Sequence, residues 1–324
     1  MNLLSRLLQQ IFLASLCLFA HGIYAQSYPT QAIKIVVGFS PGGVPDIAAR
    51  VIGQHMSENW KQAVIVENKL GAGSNIAAQV VANAPSDGYT LLSISSAFAI
   101  SPAIYPSLAF DPIKDFSGVT LTATGPALVL ISPNLKINTM KELIEYALKN
   151  PGKVTYSSAG VGSGSHFAAE LIRAKAGVDL LHIPTKGIPD AITEVMSGRV
   201  DFFISPYASA INLVRAGKVR AIAITSTKRF KDLPALPTVS ESGVPGYKWE
   251  FWYGLMAPAK TPKVILQKIA QEVKRILELP SVKERFDELG TTTVSSTPEQ
   301  FDKLIASEII EFARLAKLSG IKSE

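Results

Sequence analysis

The chain has 324 residues and a formal net charge of +6, from 32 lysines and arginines against 26 aspartates and glutamates. These charges are scattered and form no basic stripe with interleaved aromatic residues, so the composition does not indicate a nucleic-acid-binding protein. The length exceeds what one hydrophobic core usually supports, and we therefore expect two domains.

Residues 1–25 have the pattern of a secretory signal peptide. One charge, Arg6, precedes an apolar run over residues 11–20, and small neutral residues follow up to Ala25. The run is too short to span a bilayer comfortably, so we predict cleavage after Ala25 and export, rather than an uncleaved anchor. Cys17, the single cysteine, lies in this leader, so the mature chain cannot form a disulfide bond.

Short β-rich runs alternate with helical patterns as far as Thr225. Continuous apolar strands joined by helices indicate mainly parallel sheets covered on both faces, so the predicted fold class is α/β. The predicted strands are 33–39, 63–67, 90–95, 127–132, 154–158, 179–183, 200–205 and 221–225. The predicted helices between them are 46–60, 75–84, 140–149, 166–176 and 188–196.

The alternation ends after Thr225. A proline-rich stretch at 233–246 leads to an aromatic strand at 249–256, and amphipathic helices follow at 262–278 and 298–318. A chain that crosses to a second domain and returns gives this order, and turn-rich segments near 125 and 246 suit the crossings. We expect domain 1 to comprise 26–125 and 246–324, domain 2 to comprise 126–245, and a hinge that allows closure on a ligand.

Four loops that follow predicted strands have the composition of an anion-binding site. Ligands of open α/β sheets lie beyond the carboxyl ends of the strands, where the next helix offers free N–H groups and the positive end of its dipole. Glycines there let the backbone approach a ligand, while hydroxyl, amide and lysine side chains add donors. A tight turn with a helix cap explains any one such loop, but four in one chain favour a site. The loops are 40–43, 71–75, 160–165 and 185–187.

The Gly-Val-Pro-Asp sequence at 43–46 is echoed by Gly-Ile-Pro-Asp at 187–190. Proline suits a first helical turn, and Asp46 and Asp190 lie where negative charge complements the helix dipole. A carboxylate at this point would repel a bound anion. We therefore interpret both aspartates as helix caps rather than ligand contacts.

No catalytic or metal-binding pattern in the sequence is complete. The mature chain's three histidines lack metal-ligand spacing, and the adjacent Ser165 and His166 lack a Gly-x-Ser-x-Gly elbow. Loop 160–165 partly matches a dinucleotide fingerprint, but its sixth residue is serine and no acid ends the next strand. We expect no catalysis, no metal and no cofactor, with a dinucleotide-dependent enzyme as the remote alternative.

A set of short motifs runs in order along the whole mature chain, none of them diagnostic alone. They are Tyr28-Pro29, Pro41-Gly42-Gly43 with Asp46, Val66-Glu67-Asn68 before Gly71-Ala72-Gly73, Asp87-Gly88-Tyr89-Thr90-Leu91, the 162–166 loop, Lys186-Gly187, Gly198-Arg199-Val200-Asp201, and Pro237-Thr238 with Glu241-Ser242-Gly243. The set resembles the periplasmic solute-binding proteins of the tripartite tricarboxylate transporter family, also called Bug receptors.

The resemblance implies a two-domain, type II Venus-flytrap receptor with its ligand cleft between the domains. It implies capture of a small carboxylate and delivery to a membrane permease of a large and a small subunit, and we expect a monomer. In the family, loop backbone, hydroxyls and bridging waters hold one carboxylate, while more variable positions read the far end of the ligand. Carried onto this sequence, the expected ligand-binding residues are Phe39, Ser40, Pro41, Gly42, Gly43, Ala72, Gly73, Ser74, Asn75, Gly162, Ser163, Gly164, Ser165, His166, Lys186, Gly187, Asp201 and Ser205.

Three places depart from the family pattern. Val44 and Pro45 stand where small hydroxyl residues are common, Ser74 stands where glycine is usual, and Thr185 stands where an aromatic residue is common. The carboxylate clamp is retained in outline, and Val44 and Pro45 are consistent with a less polar or differently shaped carboxylate. A sensing co-receptor that presents its ligand to a membrane signalling partner remains the alternative function.

Overall fold

The computed structural model describes residues 28–321, so the predicted leader and its cleavage site lie outside the described residues. Within 28–321, no helix is both long enough and apolar enough to cross a membrane. The ten strands of the described residues are β1 (Ile33–Val37), β2 (Val64–Asn68), β3 (Thr90–Ser95), β4 (Phe116–Ile131), β5 (Val154–Ser158), β6 (Leu180–Pro184), β7 (Phe202–Pro206), β8 (Arg220–Ile224), β9 (Glu250–Pro258) and β10 (Thr292–Thr293).

Ten α-helices and one short 3₁₀ turn, Ala72–Ser74, connect these strands within the described range. The helices are α1 (Val44–Trp60), α2 (Asn75–Ala82), α3 (Ala97–Ile104), α4 (Met140–Lys149), α5 (Gly164–Ala176), α6 (Ile188–Met196), α7 (Tyr207–Arg215), α8 (Lys263–Leu277), α9 (Pro280–Glu288) and α10 (Pro298–Ser319).

Two long strands join two groups of parallel strands. β1 pairs in parallel with β2 and β3, and β5 pairs in parallel with β6 and β7. β9 lies antiparallel between β3 and β4, and β4 continues antiparallel against β7 and β8. The hydrogen-bonded order is β2-β1-β3-β9-β4-β7-β5-β6. The two mainly parallel sheets that the sequence predicts are therefore joined into one mixed sheet. They are joined by β4, which crosses between the groups, and β9, which returns, and both of these strands pair antiparallel with their neighbours.

The change of partner along β4 lies beside the crossing predicted near residue 125. Residues 116–126 of β4 pair with β9, whereas residues 127–131 pair with β7 and β8. β4 thus carries the chain from the β1 group to the β5 group, and β9 extends the β1 group after the chain returns. The domain boundaries themselves remain a prediction.

Strand β1 shows how the layers are held together. Its residues Ile33, Ile35 and Val37 pack in one buried cluster with side chains of α1 and α8, while Val36 lies in a different cluster. Because alternate residues of a strand point to opposite faces, β1 buries both of its faces. This is the packing expected for a continuous apolar strand covered by helices on each side.

Most predicted elements have the observed bounds to within two residues, but three helices, the two-residue strand β10 and residues 116–126 of β4 were missed. Helix α3 is almost entirely apolar and contains Pro102, so it shows no 3.6-residue polar face. Helix α7 begins directly after Pro206, and α9 occupies part of the linker expected between the last two helices. Gly118, Gly125 and Pro126 interrupt the apolar pattern over the first part of β4.

Candidate functional site

A cavity of about 520 Å³ lies where the parallel strands end. Its walls come from the segments that follow β1, β2, β3, β5, β6 and β7, together with Phe251 and Tyr253 of β9. Ligands of open α/β sheets bind at this edge, beyond the carboxyl ends of the strands. The volume also lies within the range of about 300–1,000 Å³ that is typical of small-molecule sites.

The structure brings part of the predicted set together at this cavity. The predicted residues that line it are Phe39, Ser40, Gly43, Gly73, Gly162, Ser163, Gly164 and Ser165. The predicted residues that lie outside the lining are Pro41, Gly42, Ala72, Ser74, Asn75, His166, Lys186, Gly187, Asp201 and Ser205.

Asp201 lies just before strand β7 and Ser205 lies within it, and neither residue lines the cavity. Asp201 precedes β7 at its amino end, where its carboxylate accepts hydrogen bonds from the Thr155 backbone N–H at 2.7 Å and hydroxyl at 3.0 Å. Ser205 is fully buried, and its hydroxyl donates to the Pro206 carbonyl at 3.2 Å. The structure therefore gives Asp201 a role in joining β7 to β5, at the end of the strands opposite to the cavity.

The 71–75 and 185–187 loops contribute less than the sequence predicted. Ser74 is buried, and its hydroxyl occupies the space that a side chain at Gly38 would need. Lys186 is exposed, and the Thr185 hydroxyl donates to the Ser158 carbonyl at 2.7 Å. The 71–75 loop therefore supports the end of β1, and the 185–187 loop is tied to the end of β5.

Asp46 braces the loop at the start of α1. Its carboxylate accepts hydrogen bonds from the Gly42 N–H at 2.9 Å and the Asn68 amide at 2.8 Å, and it pairs with Arg50 at 2.9 Å. Burial by itself would raise the pKa of Asp46, but the hydrogen bonds from Arg50, Gly42 and Asn68 lower it. The carboxylate is thus fully engaged by protein donors and does not line the cavity.

Two serines at the start of α5 form a small donor group. The Ser165 hydroxyl accepts from the Ala159 N–H at 3.0 Å, and the Ser163 hydroxyl accepts from the His166 N–H at 3.3 Å. The two hydroxyl oxygens lie 3.0 Å apart, so one donates to the other. The second hydroxyl then keeps its proton for a ligand.

Beside this loop lies a histidine pair, in which His166 is buried and His182 is half-buried. The His166 and His182 rings stack with centroids 3.9 Å apart, and burial lowers the pKa of each to about 4. A neutral His166 can accept the Gly162 N–H at Nδ1, as it does at 3.1 Å. The Ser158 hydroxyl lies 2.7 Å from His182 Nε2. These rings therefore fix the loop that borders the cavity.

Two glycines allow close contact across the cavity. A methyl group built on Gly164 would lie 2.5 Å from Phe251 of β9, and one built on Gly162 would lie 2.7 Å from Ile104 of α3. Real side-chain carbons do not approach this closely. Glycine is therefore required where the 160–165 loop meets the opposite wall.

The lining contains no charged residue, amide or imidazole among the described residues. Its polar side chains are serines and two tyrosines: Ser40, Ser95, Ser96, Tyr105, Ser101, Ser163, Ser165, Ser209 and Tyr253. Ser96 is 2% exposed, and its hydroxyl has no hydrogen-bond partner within residues 28–321. An anion here would have to be held by backbone amides and hydroxyls rather than by a cation.

Several lining residues were missed by the sequence analysis. Helix α3 and the segment before it supply Ser95, Ser96, Ala97 and Ser101, and α7 supplies Ala208 and Ser209. Both helices follow a strand, so the rule that picked the predicted loops applies to them as well. They were overlooked because neither helix was recognised.

Comparison with known proteins assigns the family. Residues 48–321 match the model of the tripartite tricarboxylate transporter family receptor, TctC. A Pseudomonas sp. (strain P51) protein from the tcbD-tcbE intergenic region is 36% identical over 290 residues, covering 89% of this chain and 86% of the relative. Protein BugT of Bordetella pertussis is 32% identical, covering 93% of each chain.

Solved structures agree with this match. An R. palustris protein with adipate superposes with a TM-score of 0.81 at 31% identity, covering 92% of this chain and 100% of that one. MatC from Rhodopseudomonas palustris with bound malate gives 0.75 at 32%, covering 89% and 99%. Periplasmic binding protein BugD gives 0.77 at 32%, covering 92% and 100%. With sequence and fold in agreement over nearly the whole described chain, this protein belongs to the tripartite tricarboxylate transporter receptor family.

Proposed function

We propose that this protein is a periplasmic receptor that captures a small carboxylate in the cavity and delivers it to a tripartite tricarboxylate-type permease. Membership of a receptor family supports binding rather than catalysis. Solved relatives about 31–32% identical carry adipate and malate, both of them small carboxylates. The permease would comprise the large and small membrane subunits that the family name implies.

The observation that carries the proposal is the convergence of helix starts on an uncharged cavity. The lining includes residues at the first turns of α1, α3, α5, α6 and α7. A helix start carries positive potential, worth about 0.3–1 kcal/mol toward an anion when exposed and more when partly buried, and in the described chain the starts of α5 and α7 also leave first-turn N–H groups unpaired. A carboxylate is the kind of ligand that such donors hold without a cationic side chain.

The organisation that goes with this function follows the sequence prediction. Residues 26–125 with 246–324 would form one domain and residues 126–245 the other, with the leader cleaved after Ala25. The partner change in the middle of β4 and the return through β9 support two crossings and a hinge. We expect a monomer that closes as the ligand enters.

A ligand screen tests the binding step. Thermal shift with mono- and dicarboxylates, followed by calorimetry, should give saturable 1:1 binding. A ligand at a hundred times its dissociation constant should stabilise the folded state by about 2.7 kcal/mol. Replacement of Ser165 by a bulky residue should abolish this effect, while normal carboxylate binding by that variant would place the ligand elsewhere.

Uptake measurements test the transport step. A strain that lacks the protein should lose uptake of the identified carboxylate, and the native gene should restore it. Unchanged uptake together with a lost transcriptional response would identify a sensing co-receptor instead.

A further inference from the structure

The hydrogen-bond donors around the cavity are distributed unevenly, and this bears on the class of ligand. Helix α1 begins with residues whose amides are mostly committed. The Gly42 N–H donates to the Asp46 carboxylate, the Gly43 N–H donates to the Ser40 carbonyl, and Pro45 has no N–H. Among residues 42–46, Val44 alone keeps an amide that no described hydrogen bond occupies.

Helices α3 and α6 are also less favourable to an anion. At α3 the Ser96 N–H donates to the Trp252 carbonyl at 2.9 Å, and the Ala97 N–H donates to the Ser95 hydroxyl at 3.3 Å. At α6 the second residue is Pro189, which has no N–H, and the amide of Gly187 points to the Thr185 hydroxyl at 3.4 Å. The start of α3 therefore has few amides left for a ligand. At α6 the amides of Ile188 and Asp190 stay unpaired within the described residues, but the Asp190 carboxylate in the same turn opposes a bound anion.

Donors remain where α5 and α7 begin. Within the described chain, the amides of Gly164 and Ser165 and those of Ala208 and Ser209 have no recorded acceptor. Strands β5 and β7, which lead into these helices, are adjacent and parallel, so their carboxyl ends lie side by side. The hydroxyl left over from the Ser163 and Ser165 pair lies at the same place.

The rest of the lining is mostly apolar, and its polar groups are uncharged hydroxyls, those of Ser40, Ser95, Ser96, Ser101, Tyr105 and Tyr253. It includes Phe39, Val44, Ile104, Val161, Ile188 and Phe251, and no described lining residue is cationic. A second carboxylate against this wall would lose its water without gaining a counter-charge, which is strongly unfavourable. An alkyl or aryl group would instead gain from burial in the same space.

We infer that the preferred ligand carries one carboxylate, held where α5 and α7 begin, on an apolar aliphatic or aromatic body. This body packs against the apolar wall formed by Phe39, Val44, Ile104, Val161, Ile188 and Phe251. This inference rests on the proposed function, since it names the class of carboxylate that the same cavity takes. It separates this chain from its solved relative that holds adipate, which has a carboxylate at each end.

The test compares ligands matched in size that differ in the second charge. Calorimetry on the purified protein would use hexanoate against adipate and 4-methylbenzoate against terephthalate, with hexanamide as the uncharged control. Each monocarboxylate should bind at least about tenfold more tightly than its dicarboxylate, and hexanamide should bind at least about tenfold more weakly than hexanoate. Lengthening the acid from butanoate to hexanoate should tighten binding about fourfold for each added methylene, from the burial of its apolar surface.

A variant pair tests the location of the apolar wall. Val161→Lys puts a cation on the lining and should reverse the preference, so that terephthalate binds more tightly than 4-methylbenzoate. Val80→Lys makes the same substitution at an exposed position on α2 and should leave both affinities unchanged. Comparison of the ligands on the native protein does not depend on whether either variant folds.

The outcomes separate this inference from the proposed function. Dicarboxylates that bind as tightly as their partners, or more tightly, would overturn the single-carboxylate inference and leave the carboxylate receptor standing. Hexanamide binding as well as hexanoate would overturn the anion subsite at α5 and α7. Failure of every carboxylate to bind would overturn both.

Discussion

At the scale of single residues, the site depends on groups that are small or already engaged. Gly162 and Gly164 are needed because the opposite wall lies within contact distance, and Asp46 is held by three protein partners. The serines of the 160–165 loop bond to one another and to backbone amides, which orients their hydroxyls before a ligand arrives. Preorganised groups lose little conformational freedom on binding, so they favour affinity.

Gly164→Ala should reduce ligand affinity at least tenfold, because the added methyl group meets Phe251 at 2.5 Å. Calorimetry with the identified ligand measures the loss. The double variant Gly164→Ala with Phe251→Leu should recover part of the affinity lost by Gly164→Ala, measured against Phe251→Leu alone. Equal losses with and without the phenyl ring would show that the contact does not matter.

Glu308 is a half-buried acid that should make stability depend on pH. Burial raises its pKa to about 7, and the indole N–H of Trp252 donates to it. Because the pKa of this carboxyl is higher in the folded state than in the unfolded chain, its stabilising contribution is present below about pH 4.5 and is lost as pH rises through about 7. The isosteric variant Glu308→Gln has no such loss.

Thermal unfolding at pH 5 and pH 8 checks this. Glu308→Gln should be close to the native protein at pH 5 and more stable at pH 8, by up to about 3 kcal/mol. Glu284→Gln, which changes an exposed acid on α9, serves as the control. A native-to-variant difference that is the same at both pH values would contradict this account of Glu308.

At the scale of secondary structure, helix starts do two different jobs in this fold. Those of α5 and α7 face the cavity and leave amides unpaired. Those of α4 and α10 lie away from it and are closed by capping boxes, Thr139 with Glu142 and Thr297 with Gln300. Side chains that satisfy the first-turn amides stabilise a helix, whereas amides left open are available to a ligand.

Thr297→Ala should destabilise the protein by about 1 kcal/mol, because it leaves a first-turn amide of α10 without its cap. Urea unfolding measures the change, and ligand affinity should stay the same because the cap is remote from the cavity lining. Thr193→Ala, at an exposed position inside α6, should cost little or nothing, since alanine is the better helix former. Equal costs for the two variants would argue against a capping role.

At the scale of the whole molecule, β4 and β9 determine how the two groups of strands meet. Both are long and central in the hydrogen-bonded path, so the cavity forms between segments far apart in sequence. The 160–165 loop contacts α3 and β9 across the cavity, as a closed receptor would require. Movement about β4 and β9 would separate these contacts and open the cavity.

Ligand binding should therefore favour the compact form. Small-angle X-ray scattering should give a smaller radius of gyration with a saturating carboxylate than without it. The Gly164→Ala variant should stay more expanded at the same ligand concentration, because the 2.5 Å contact opposes closure. Identical scattering curves with and without ligand would contradict a hinge that closes on binding.

The local sequence was sufficient for the elements that carry their own signal. The apolar strand β1, the Pro/Gly loop after it and the amphipathic helices were predicted with bounds within two residues, because side-chain periodicity and turn chemistry are local properties. The glycine and serine composition of 160–165 likewise pointed to an anion site.

Only the tertiary structure decided which loops meet. Helix α3 has no polar face to reveal it, yet packing brings Ser96 and Ile104 into the lining. Asp201 belongs to one of the sequence motifs, but the direction of β7 places it at the amino end of that strand, away from the cavity. Whether an amide is free or already bonded, as at Gly42 and Gly164, depends on neighbours brought together by folding. The sequence by itself therefore determined most of the elements and the class of site, whereas three-dimensional packing decided its walls and the uneven distribution of its donors.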